Sequence, residues 1–298
     1  MRRREKIAKI IGIDPNKYFK RKLVLYVFTR VIFILVGAIS LLFEDYLTAF
    51  LCAIALVFFL LPTFLYNKFN IAVPAALEIS AVIFTFMCVV GGEIGHLYAQ
   101  FPLWDKILHT FSGFLIAAIG LAFTNFFTKR KSSVLKLTPF FAVCFAFFFA
   151  IGIEVIWEVF EYAVDLFTGT TDMQADYFIG SFTSKKAGGE TNPFPVVVGN
   201  IDSVVIHFKD GAETLVLPGY IDIGLADTML DLIVGAIGAM IFCAIELIAL
   251  KKRDKRMQMI SESFVPKRNE SEEEIAVSDV MCEVVDEFFD KAEKFSKK

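Results

Sequence analysis

Long apolar runs dominate the chain, and their lengths predict helices before any other property is considered. A hydrocarbon core of about 30 Å is crossed by roughly 20 helical residues. Runs of that order occupy 22–43, 47–66, 71–91, 104–127, 138–166 and 225–250. The pattern predicts an all-α fold, a polytopic membrane helix bundle of about six transmembrane helices spanning 22–250. Between the last two runs the period changes. In the loop 167–224, SVVIHFKDGAETLVLPG places two β-rich stretches around Asp210-Gly211, a hairpin signal because glycine supplies the positive φ of such turns. In the tail 251–298, Val277, Met281, Val284, Val285, Phe288 and Phe289 recur at helical spacing behind Ser271 and Glu274, which match a capping box. An acidic amphipathic helix is expected there.

Composition agrees with the pattern. A chain that is 56% hydrophobic, with 34 Phe and a mean hydropathy of +0.61, is excluded from the ordinary soluble class. Charge then orients it. The segment 1–21 is basic, Lys68 follows the second run, TKRKSSVLK the fourth and KKRDKR the sixth, whereas the loops EDY and GGEIGHLYAQFP carry no Lys or Arg. The positive-inside rule places both termini in the cytoplasm and 167–224 outside. The first apolar run is too long for a signal-peptide core and lacks a cleavage site, so it is expected to remain as an anchor. Cys52, Cys88, Cys144 and Cys243 fall within the spans and Cys282 in the tail, which leaves no outer-loop pair for a disulfide. The required partner is a lipid bilayer. The tail and the hairpin insert are candidate surfaces for a protein partner, and no nucleic-acid-binding pattern is present.

One span breaks its own class. IEVIWEVFEYAVDLF carries Glu154, Glu158, Glu161 and Asp165, whose offsets of 4, 7 and 11 put them on one helical stripe. At 1.5 Å per residue Glu154 lies ~17 Å deeper than Asp165. Other spans carry polar residues at a matching level: Asp105 and His109 on one face of LWDKILHTFSGF with Ser112 a turn deeper, and Asp227 and Asp231 on one face of LADTMLDLIVGAIGAM. EIGHLY adds Glu93, His96 and Tyr98 at the outer end of the third span. An ionised carboxylate at the centre of a membrane helix costs about 2.5–3.5 kcal/mol on insertion scales. Several sharing one site require protons, His⁺, Lys106 or a bound cation. Two readings stay open: an outward-facing polar or metal site, and a structural hydrogen-bond network. Asp, Glu and His suit a divalent metal ion, although no HExxH or other metal signature occurs and nothing fixes the metal. On the cytoplasmic half, Arg30 and Glu78 are candidates for an interhelical ion pair of structural character. Gly113, Gly120, Gly235 and Gly238 are expected to let helix backbones approach closely.

GHLYAQFPLWDKILHTFSGF, EVIWEVFEYAVDLFTG, DMQ at 172–174 and GLADTMLDLIVGAIGA together resemble the successive motifs of the YjdF-like bacterial inner-membrane proteins, with a more distant similarity to VanZ-like proteins. The resemblance covers roughly 71–250. It implies a multi-pass helical membrane protein with His96, Asp105, His109, Glu158, Glu161, Gln174, Asp227 and Asp231 as family-type positions. It implies no activity. The long stretch between DMQ and GLADT departs from the family pattern, and the tail lies outside it.

Three function classes remain. A membrane-embedded metal-assisted hydrolase on a lipid or envelope precursor would use Glu158 or His109 as base, although no nucleophile or phosphate-binding motif is present. A proton-coupled or metal ion transporter would relay through Glu154, Glu158 and Glu161, although the acids crowd one half of the bundle. A binding or accessory protein would use the polar pocket for a small ligand and the hairpin or tail for a partner.

Overall fold

The computed structural model describes residues 15–128, 138–211, 213–252 and 255–268. The expected tail helix lies outside these residues. Helix α1 is Pro15–Leu42 and α2 is Tyr46–Phe69. A two-residue strand β1, Ile71–Ala72, precedes α3, Ala75–Phe86, which continues as a π-helix over Met87–Ile94 and then the short α4, Leu97–Gln100. Helices α5, Trp104–Thr128, and α6, Pro139–Thr168, follow. Six strands come next: β2 Tyr177–Ile179, β3 Phe182–Ser184, β4 Val196–Val198, β5 Val204–Ile206, β6 Leu215–Leu217 and β7 Tyr220–Asp222. The chain then forms α7, Leu225–Lys252, α8, Lys255–Phe264, and β8, Lys267–Arg268.

Among the described residues, five helices are long and apolar enough to cross a membrane: Tyr46–Phe69, Ala75–Ile94, Trp104–Phe126, Pro139–Thr168 and Leu225–Leu250. The sixth expected span lies within the helix Pro15–Leu42, of which Val27–Leu42 is an apolar stretch among the described residues. The protein is thus a largely α-helical, polytopic membrane protein. Helix ends follow local chemistry. Asp45 caps α2 by accepting from the Thr48 amide at 3.1 Å. Thr138 does the same for α6 toward Phe141, Pro139 occupies the first turn, and Gly169 (φ +61°) ends the helix in the left-handed conformation.

The helices form two packed groups. In the first, Phe33 of α1, Cys52, Ala55 and Phe59 of α2 and Val89 of the π segment make one apolar core. Phe33 meets Phe59 and Phe86 edge to face, each with ring centroids 5.2 Å apart. Pro62 interrupts the α2 hydrogen-bond ladder near this core, and Arg30 Nη2 of α1 donates to the Phe59 carbonyl at 2.6 Å. In the second, α5, α6 and α7 enclose Ala117, Ala118, Leu121, Ala146, Ala150, Ala239 and Phe242. Small residues set its spacing. A Cβ at Gly113 would run into the Gly235 carbonyl, and one at Gly238 into the Thr110 carbonyl, so α5 and α7 touch backbone to backbone.

Helix α6 is inverted relative to a soluble amphipathic helix. Glu154, Glu158 and Glu161 are 2%, 4% and 7% exposed, while Phe148, Ile156 and Val159 exceed 60%. Its polar stripe faces the bundle and its apolar surface faces lipid.

The strands between α6 and α7 form a cap at one end of the bundle. β2 pairs antiparallel with β7 (Phe178 opposite Ile221) and encloses two further antiparallel pairs, β3 with β4 and β5 with β6. The pair around Asp210-Gly211 has the register Val204↔Leu217 and Ile206↔Leu215, so the strands form where the pattern places them, with paired residues ending at Ile206 and resuming at Leu215 and not directly flanking Asp210-Gly211. The other two pairs were not legible as strands. Like β5 and β6 they are three residues long, too short for alternation to show, and they lack the flanking Asp-Gly signal that marked that pair. At the opposite end α8 folds back: Val265 is buried in the α5–α7 core, Phe264 packs on Phe114 with centroids 5.2 Å apart, Ser261 donates to Glu246, and β8 pairs with β1.

Candidate functional site

Three helix segments meet beneath the cap: the first turns of α5, the last third of α6 and the first turns of α7. The close α5–α7 crossing at Gly113, Gly235 and Gly238 brings Asp105, Lys106 and His109 against Asp227 and Asp231. Gly235 also leaves room for Glu154, whose carboxyl carbon would lie 3.1 Å from a Cβ there.

His109 is 6% exposed, and its Nδ1 lies 2.8 Å from Glu154 Oε2. Ser112 donates to Glu154 Oε1 at 2.6 Å, so both oxygens of that carboxylate are engaged. A carboxylate on Nδ1 holds a proton on that nitrogen and leaves Nε2 as the ring nitrogen that faces the other acids. Nε2 points toward Asp105 Oδ1 at 3.7 Å and Glu158 Oε1 at 3.8 Å, both beyond hydrogen-bond distance. Three carboxylate oxygens of two neighbouring acids, Glu158 Oε1, Glu158 Oε2 and Asp231 Oδ1, are buried without a hydrogen-bond partner. Leaving a buried acceptor unsatisfied costs on the order of 1–3 kcal/mol, more if charged.

Lys106 lies beside this group. Its Nζ is 2.5 Å from Asp227 Oδ1, 2.8 Å from Asp231 Oδ2 and 3.2 Å from Asp105 Oδ2. Asp227 is further held by the Ala175 amide, donating to Oδ2 at 2.9 Å, and by the Tyr177 hydroxyl at 3.4 Å. Glu161 accepts from Trp157 Nε1 at 2.8 Å, one turn back along α6.

Six carboxylates, Asp105, Glu154, Glu158, Glu161, Asp227 and Asp231, thus surround two cationic or potentially cationic side chains, Lys106 and His109. The remaining negative charge calls for protons or a cation. Two ligand sets are close enough to hold a metal ion: Asp105, His109 and Asp231, and His109, Glu158 and Glu161, with candidate atoms within 4.8 Å of one another in each. Both sets need the one imidazole nitrogen that Glu154 leaves open, so they are alternatives for a single ion.

The remaining candidates take other places. Asp165, on the same stripe of α6, turns to the chain beyond the helix: its two oxygens accept from the Met173 and Gln174 amides, each at 2.9 Å. Gln174 Nε2 donates to Thr228 Oγ1 at 2.6 Å and to the Glu158 carbonyl at 3.4 Å. Residues 172–177 therefore form a strap tied to α6 by Asp165 and to α7 by Asp227 and Thr228. Burial and the charges of Asp176, Asp165 and Asp227 push the exposed Asp172 carboxyl above the usual range. His96 is exposed at the left-handed corner (φ +52°) that ends the π segment, and no hydrogen bond joins its side chain to the cluster among the described residues. Glu93 is half-buried on that segment, beside Gly92, whose lack of a Cβ admits the Tyr98 ring.

The central place of Lys106, and the roles of Ser112, Thr228, Tyr177 and Trp157, are settled by packing. The signal for Lys106 was its position: a cation at the start of an apolar span beside an acid, opposite a span with two acids.

Residues 23–252 match the family model described as "Predicted membrane protein (DUF2238)", and the chain belongs to that family. No curated protein matches the chain significantly, and no solved structure does.

Proposed function

We propose that this DUF2238 membrane protein holds one divalent metal ion in the cluster beneath its cap and uses it to hydrolyse an amphiphilic substrate, a lipid or envelope precursor. The observation that carries the reading is the setting of His109: Glu154 anchors Nδ1 at 2.8 Å, and Nε2 faces Asp105 Oδ1 and Glu158 Oε1, the latter buried without a hydrogen-bond partner. Such a carboxylate–histidine relay is the usual outer support of a metal-bound imidazole. Asp105, His109 and Asp231 are assigned as ligands, a set of one nitrogen and two carboxylates suited to zinc, manganese or iron. Glu158, with both oxygens unpaired and 3.8 Å from Nε2, is assigned as general base. A bound divalent ion acidifies a coordinated water. In the hydrolysis the water oxygen bonds to the acyl or phosphoryl atom, the bond to the leaving oxygen breaks, and Glu158 carries the proton from the water to that oxygen.

The basic loops support an orientation in which the cluster and cap face outward from a bacterial cytoplasmic membrane, with both termini cytoplasmic. Transport is the weaker reading, because the apolar core of Ala117, Leu121, Ala150 and Phe242 continues the α5–α7 unit with no further acid of the stripe.

The test is elemental mass spectrometry on detergent-purified protein, followed by turnover of mixed bacterial lipids and flux in proteoliposomes. One ion per chain is expected in wild type, lost in His109→Ala and Asp231→Asn; Glu158→Gln is expected to keep the ion and lose turnover. Metal-free wild type, or ion flux without turnover, would overturn the reading.

A further inference from the structure

We infer that the Lys106 ammonium occupies the second cation position of what is otherwise a two-cation carboxylate centre, and so restricts the site to a single divalent ion. The inference rests on the metal reading above and goes beyond it by fixing how many ions the site takes and which residue sets that number.

The division of oxygens carries the argument. Asp105 and Asp231 each have one oxygen on Lys106 and the other not engaged by it. Asp105 Oδ2 is 3.2 Å from Nζ, while Oδ1 faces His109 Nε2 at 3.7 Å. Asp231 Oδ2 is 2.8 Å from Nζ, while Oδ1 is buried without a hydrogen-bond partner. Asp105 therefore reaches both the ammonium and the position in front of His109, and an Asp231 oxygen lies within 4.8 Å of the Asp105 and His109 ligand atoms at that position. Carboxylates that bridge two adjacent cations, with further carboxylates and a histidine supplied by other helices of a bundle, are how helical di-metal centres are built. Here the third carboxylate of the second position is Asp227, with Oδ1 2.5 Å from Nζ and Oδ2 fixed by the Ala175 amide. Asp227 has no counterpart role at the His109 position.

A lysine in that place has a distinct consequence. An ammonium carries one positive charge and only donates hydrogen bonds, so it satisfies three carboxylates without offering a coordination position. A divalent ion there would add a further positive charge and an open ligand site, and pairs of catalytic ions in such centres stand about 3.5–4 Å apart. Removing the ammonium leaves Asp105, Asp227 and Asp231 facing one buried point, the situation that a small divalent ion relieves.

The experiment compares wild type, Lys106→Ala, Lys106→Gln and Lys106→Arg, each purified as the full chain, saturated with Mn²⁺, freed of loose ions and assayed for manganese per chain. Manganese spin resonance on the same samples separates an isolated ion from a coupled pair. The expected result is one additional ion in Lys106→Ala relative to wild type, a coupled-pair spectrum in that variant, and no gain in Lys106→Arg. Equal counts in wild type and Lys106→Ala would overturn the inference, as would loss of the ion from Lys106→Ala. If Lys106→Ala is isolated only when Mn²⁺ is present, the inference is supported. If neither Lys106→Ala nor Lys106→Gln folds at any Mn²⁺ concentration, it is overturned, since a cation then cannot replace the ammonium. The wild-type count reads the metal site itself, and the difference between variant and wild type reads the role of Lys106.

Discussion

His109 and Glu154 are joined across the α5–α6 interface by a 2.8 Å contact between Nδ1 and Oε2, and both side chains are almost fully buried. The pair orients the imidazole, since with Nδ1 engaged, Nε2 is the only ring nitrogen free to face the other acids. Glu154→Gln should therefore weaken metal binding without removing a ligand. A 10–100-fold loss of affinity is expected, the usual cost of losing such a support. A competition titration against a fluorescent chelator measures it, and an unchanged affinity would place the ion elsewhere.

Lys106 should dominate stability in the absence of metal. It is paired with Asp227 and Asp231, which are 2% and 0% exposed, and removing one partner of a buried pair typically costs about 3–5 kcal/mol. In chelator-treated protein, Lys106→Ala should unfold well below wild type in a thermal-shift assay. Lys106→Arg should recover most of the loss.

The crossing of α5 and α7 leaves no volume for a side chain at Gly238, because a Cβ there would overlap the Thr110 carbonyl oxygen. Gly238→Ala must push the helices apart. Overpacking of this kind costs about 1–3 kcal/mol, and the shift should also disturb the Lys106 pairs nearby. Reduced yield of monodisperse protein, together with weakened metal binding, is the expected outcome. Gly152→Ala is the control, since nothing lies within 4 Å of a Cβ there.

The strap 172–177 hangs on Asp165, whose carboxylate takes two backbone amides. Asp165→Ala should leave both without partners and release the strap. Faster amide exchange over 172–177 is expected by mass spectrometry, with the α6 amides at Glu154 and Glu158 unchanged; equal exchange in both proteins would assign the strap to other contacts.

Asp172 gives the strap a pH dependence. Burial raises its carboxyl above the ordinary value, and Asp176, Asp165 and Asp227 add to the effect. A raised acid binds its proton more tightly folded than unfolded, so its ionisation disfavours the native state. The protonated form causes no loss below the unfolded value of about 3.8, and the loss develops as pH rises through the folded value. Asp172→Asn should accordingly raise the melting temperature slightly at pH 7, with the gain vanishing in acid below that value. An unchanged melting temperature at pH 7 would show that solvent screens the carboxyl.

Much of the architecture follows from the sequence alone. The spans are set by the length of their apolar runs, since in a bilayer the backbone must satisfy its own hydrogen bonds and a helix is the simplest way to do so. The stripe of Glu154, Glu158 and Glu161 is equally local, because helical geometry puts those offsets on one face whatever surrounds it. Which neighbour that face meets is not local. Only tertiary packing, through glycines that let α5 and α7 touch, sets Lys106 against Asp227 and Asp231 and turns His109 onto Glu154. It also separates Asp165, held by the strap, from the acids one and two turns deeper, and leaves His96 outside the cluster. Periodicity fixes the face of a helix on which a side chain sits, but the distance between two faces depends on how closely their backbones approach, and that is decided by the whole bundle.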